Sequence, residues 1–91
     1  PLATAPTVQF IPHGGTPPSQ CPGTEANPKA QSGHLCIYEE NAIGTASTGE
    51  FNDTDASGSF NSASPFGFGV YTTVAAVNTQ AIAWGTWAVT S

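Results

Sequence analysis

Two histidines and two cysteines, His13, Cys21, His34 and Cys36, are the side chains whose types could hold a metal. Zinc would want thiolates and imidazoles at close, regular intervals, whereas seven residues separate His13 from Cys21 and one separates His34 from Cys36, a spacing no zinc finger uses. Oxidation suits the cysteines better. The 14 residues between them include Pro22, Gly23, Pro28 and Gly33, a composition that loops back on itself. A Cys21–Cys36 disulfide closing a loop of this size would contribute about 3 kcal/mol by restricting the unfolded chain. Such a bond places the chain in an oxidising, extracellular setting.

Carboxylates offer two further chemistries. Glu50, Asn52, Asp53 and Asp55, followed by Gly58, resemble a loose calcium loop, with Asp53 and Asp55 as the nearest ligands. The EF-hand pattern fails, because its final Glu and its flanking helices are missing, and a solvated turn is the simpler expectation. Asn52-Asp53-Thr54 also satisfies the glycosylation rule, which a bacterial source would make idle. Glu39 and Glu40 are adjacent, so a strand would send them to opposite faces, where they could not share one glycosidic bond; they read as a strand end entering solvent. The chain has no G-x-S-x-G element for an activated serine, and no enzymatic activity is expected. Tyr38, Tyr71, Trp84 and Trp87 could stack on a sugar ring. Both tryptophans lie in the most apolar stretch, however, which favours core packing or subunit contact.

Composition removes other classes. Of 91 residues one is Lys and none is Arg, against six acidic residues, for a net charge of −5. Phosphate binding needs clustered cations, so nucleic acid is not an expected partner, and a basic membrane-surface helix falls by the same argument. Apolar runs are a few residues long, far short of the roughly 20 that span a bilayer, so no membrane insertion is expected. Ten Gly and eight Pro suggest disorder, but 38% of residues are apolar and the bulky ones concentrate in 35–38 and 66–89. An ordered domain with long loops follows.

The elements that must position these residues are strands. Thr7–Ile11 alternates Val8 and Phe10 with Thr7, Gln9 and Ile11 and is stopped by Pro12. Residues 12–33, with five Pro and four Gly, form a long loop pinned by the disulfide. His34–Glu39 is a second strand, with Leu35 and Ile37 on one face and Cys36 and Tyr38 on the other. Residues 41–64 hold Phe51 and Phe60 as isolated apolar anchors and room for one or two short edge strands. In Phe66–Val74, residues Phe66, Phe68, Val70, Thr72 and Val74 share a face, and the glycines between them permit another backbone or an aromatic ring to approach. Ala81–Thr90 carries Trp84 and Trp87 on opposite faces, which implies a central strand or one at a subunit interface. Being sequential and joined by a short polar link, the last two strands are expected to form a hairpin.

Gln20-Cys-Pro-Gly-Thr24, Asn27-Pro-Lys-Ala30, Gly33-His-Leu-Cys-Ile-Tyr-Glu39, Phe66-Gly-Phe-Gly-Val-Tyr71 and Trp84-Gly-Thr-Trp-Ala-Val-Thr90 carry a resemblance that also takes in the lead-in Pro1–Val8. With these segments the chain resembles the C-terminal domain of exported actinobacterial proteins, a family with no assigned activity, in which the domain often follows a collagen-like Gly-X-Y tract. The resemblance implies a β module capping a stalk, and stalks of that kind gather three chains.

Together these readings give one all-β domain over residues 1–91, jelly-roll-like or a sandwich, with long Pro/Gly-rich loops and one disulfide, as the C-terminal part of a longer precursor. It is expected outside the cell or at its surface, without cofactor, as a homo-oligomer (a trimer or fibre) associating through strands and through Phe66, Phe68, Tyr71, Trp84 and Trp87. Its function would be that of a structural tip or building block of a surface fibre. The rival is an adhesin or receptor-binding module recognising glycan, a cell surface or a host protein.

Overall fold

A computed structural model describes residues 2–52, 60–78 and 80–91. Five strands are present among them: β1 (Thr7–Ile11), β2 (His34–Ile43), β3 (Thr45–Asn52), β4 (Phe68–Val74) and β5 (Ile82–Thr90). No described residue is helical, and the fold is all-β with two sheets. One is a three-stranded sheet in the order β1-β2-β5, and the other is the two-stranded ribbon β3-β4.

Chain alternation decides how the layers stack. β1 runs parallel to β2 with Val8 beside Leu35 and Phe10 beside Ile37, while β5 runs antiparallel to β2 with Val89 opposite Leu35 and Trp87 opposite Ile37. These side chains therefore share one face, and that face meets the ribbon: Leu35, Ile37 and Ala63 form a buried cluster with Val8, Phe10, Phe68 and Val89 against it. The opposite face carries Ile11, Cys36 and Tyr38 and is covered by the loop, through Cys21 and Ala30. A sheet held between a ribbon and a loop is a thin object, and one principal dimension is only 16 Å.

The disulfide Cys21–Cys36 is formed, with Cα atoms 5.7 Å apart, and both cysteines are fully buried. A second clamp holds the same loop. The Tyr38 hydroxyl accepts from the Gly23 N–H (3.0 Å) and donates to the Lys29 carbonyl (2.7 Å), so a side chain from the middle of β2 ties together both arms of the loop. The hydroxyls of Thr86 and Thr90 add bonds from β5 to the carbonyls of Glu25 and Ala30.

The strand pairing departs from the expected hairpin. β4 pairs with β3, from Phe68 opposite Asn52 to Val74 opposite Thr45, and β5 pairs with β2, from Ile82 opposite Ile43 to Thr90 opposite His34. The cause lies at Gly44. With φ at +70°, in the left-handed region that glycine enters without strain, it turns the chain out of β2 directly into β3. On the other strand, the end of β4 is tied to the same corner by the Ala75 N–H, which donates to the Gly44 carbonyl (3.0 Å). The two-stranded ribbon β2/β5 thus continues as β3/β4 after folding over on itself. A consequence is that β5 lies at an edge of its sheet, not in its centre.

Candidate functional site

The folded ribbon leaves a groove of about 520 Å³ between β5 and β3-β4. It is lined by β5 around Trp84 and Trp87, by Val70 from β4, and by Thr48 and Glu39 from β3 and β2, with the Trp87 ring on the groove side of β5. Trp87 stands edge-on to Phe68, ring centres 5.5 Å apart at 83°, which anchors one side of the indole while 55% of the residue remains exposed. Trp84 is 42% exposed.

Each candidate residue has a different place. Phe68 is half-buried and packs against the core, and Phe66, by contrast, is exposed beside a smaller depression lined by Leu2, Ala63 and Val89. Tyr71 sits half-buried on the outer face of the ribbon, over Gly49 and 5.3 Å from the ring of Phe60. Phe51 does the same over Gly69, where a Cβ would collide with its ring. Gly69, between Phe68 and Tyr71 of β4, thus admits a ring, as its spacing implies. Facing glycines at 49 and 69, each opposite an aromatic residue of the other strand, were the signal for this pairing.

The burial of two carboxylates escaped the sequence reading. Glu39 is buried rather than entering solvent: its Oε1 accepts from the His13 N–H (3.1 Å) and its Oε2 from the Thr48 hydroxyl, so it joins the start of the loop, β2 and β3. A bulge between Glu39 and Asn41 turns Glu40 out to solvent. Glu50, also buried, accepts from the Ser62 N–H (2.9 Å) and holds the segment before β4 against β3. A carboxylate that accepts backbone N–H bonds can sit inside a small domain, and nothing in the neighbouring residue types announces it.

Among the described residues no three His, Cys, Asp or Glu side chains come together as metal ligands. Asp53 and Asp55, the calcium candidates, lie outside the described residues, as does most of the glycosylation sequon. No described helix is long and apolar enough to cross a membrane.

What distinguishes this region chemically is its lack of charge. Residues 60–91 contain no Asp, Glu, Lys or Arg, and all six acidic residues lie before them. Within that neutral third, Val70, Val74, Val77, Ile82, Trp84 and Trp87 are all exposed, with Ile43 joining them at the corner. No family model, curated protein or solved structure matches the chain.

Proposed function

We propose that the chain is a structural module that assembles with copies of itself through the neutral, apolar surface of β4, β5 and the corner between them. The observation that carries this reading is the exposure of both tryptophans and four or more aliphatic side chains on one uncharged third of the chain. Isolated exposed apolar residues are ordinary, but this many large ones on a stretch without charge is what association surfaces offer. A thin five-stranded fold cannot cover it from within. The disulfide supports an extracellular setting. The resemblance to domains that follow collagen-like tracts supports a place at the tip of a stalk or in a surface fibre. Sedimentation velocity over a range of concentrations tests the reading, with assembly expected and a persistent monomer contradicting it.

A second reading is favoured by the groove itself. Trp87, edge-on to Phe68 with about half of its surface exposed at the groove, offers a ring on which a sugar could stack. Under that reading the module is an adhesin, and a glycan array would find a ligand whose binding is lost in a folded Trp87→Ala variant.

A further inference from the structure

The surface proposed above for self-association includes a free strand edge, and the two edges of the three-stranded sheet are unlike. β1 is five residues long, with Pro6 just before it and Pro12 just after. Short length and proline are the means by which proteins blunt an edge against unwanted pairing. β5 has neither. It runs nine residues with no proline, no charge and no bulge opposite its outer side, and among the described residues nothing pairs with that side. An edge so long and so unprotected is a template for another strand.

Resting on the self-association reading, we infer that the strand added there is β5 of a second copy, antiparallel, about a two-fold axis through Thr86. Symmetry narrows the choice. A two-fold axis perpendicular to the sheet keeps each face on its own side, so only residues of one face can stand opposite each other. Thr86 is the midpoint of Ile82–Thr90, and centring the axis there pairs the whole strand.

Side-chain size agrees with that register. Each Trp87 falls opposite Gly85 of the other copy, each Trp84 opposite Ala88, and Ile82 opposite Thr90, so both indoles meet small residues and neither meets the other. Moving the axis by one residue to 87 would oppose the two Trp87 side chains directly and leave Gly85 facing Val89. The result is a continuous six-stranded sheet, with the two grooves meeting at its centre. This makes pairs, not the groups of three that a collagen-like stalk would collect. Charge adds a condition: two copies at −5 each repel, and pairing brings the loop segments at Glu25, which rest on Thr86, toward each other. The pair should therefore tighten as salt screens the repulsion.

Cysteine placed on the axis tests the register. Residues on the axis face their own copies with Cβ atoms about 5 Å apart, close to what a disulfide spans. Ala88 and its copy would be offset by four residues, on the order of 13 Å, and Ala83 by more. After mild oxidation of the intact chain, Thr86→Cys should give several-fold more reducible covalent dimer than Ala83→Cys or Ala88→Cys. Hydrogen exchange on the unaltered chain supplies a second readout, with β5 amides slowed at high concentration. Equal linking at the three positions, or β5 amides indifferent to concentration in a chain that still associates, overturns the pairing and leaves self-association standing. A chain that remains monomeric at every concentration and salt overturns both.

Discussion

Removing the hydroxyl of Tyr38 isolates the second clamp on the loop, because Tyr38→Phe keeps the ring that packs with Ile11 and Cys36. Two hydrogen bonds disappear, those to Gly23 and Lys29. A typical intramolecular hydrogen bond contributes about 1 kcal/mol net, and a partner left unsatisfied adds to the loss. Gly23 is half-buried and Lys29 exposed, so water recovers part of the deficit, and about 2–3 kcal/mol is the expected total. Against the roughly 5–14 kcal/mol available to a domain of this length, that is a large fraction. The melting temperature should fall by about 10–20 °C, using the 4–8 °C per kcal/mol of domains this size. Tyr71→Phe serves as the control, since the Tyr71 hydroxyl lies at the surface of the ribbon and its loss should change stability by no more than about 0.5 kcal/mol. Thermal unfolding followed by far-ultraviolet circular dichroism is the assay. Equal shifts for the two variants would refute the assignment of Tyr38 as a loop clamp.

Reducing the Cys21–Cys36 bond should cost about 3 kcal/mol and should make Tyr38→Phe less damaging than in the oxidised chain, because both hold the same loop; denaturant titration with and without reductant measures both. Phe68→Asp should abolish the fold, since it places an unpaired charge among Leu35, Ile37 and Trp87; retained two-state melting would count against this core. Gly69→Val should destabilise by at least about 1–3 kcal/mol, because its side chain must displace the Phe51 ring, and unchanged stability would place that ring elsewhere. Indole emission of the unaltered chain should shift to the red on dilution as Trp84 and Trp87 leave an apolar contact for water, and a constant spectrum would show that neither takes part.

Much of the fold was legible where burial is one-sided and alternation strict. Val8 and Phe10, Leu35 and Ile37, and Cys36 and Tyr38 go to the faces that a two-residue period assigns them, and Thr7–Ile11 begins and ends where proline permits. The disulfide was legible because the loop between Cys21 and Cys36 has proline and glycine at its turns. Pairing was not. The β3 sequence TASTGEFN shows little hydrophobic pattern, since its inner face is Thr48, Glu50 and Asn52 and its apolar contact is Phe51 lying across glycine. Without a visible third strand, β4 has no apparent partner but β5, and the corner at Gly44 depends on a single positive φ that no periodicity records. The same gap hid Glu39 and Glu50, whose burial depends on backbone N–H groups brought from distant segments. Of the aromatic candidates, Phe68 went to the core as its alternation required. Phe66 lies just before β4 and is exposed, and Trp84 and Trp87 mark an edge where tryptophan on both faces had pointed to a centre or an interface.

The mass of the native particle, measured by sedimentation velocity on the oxidised chain from low to high micromolar concentration at moderate salt, bears most directly on the account. A monomer at the dilute end giving way to a multiple of the chain mass as concentration rises, with that transition removed in Trp84→Ala and Trp87→Ala variants that keep their fold, is the predicted result. A single monomeric boundary at every concentration, with both indoles in water throughout, would contradict it and leave the groove to a sugar.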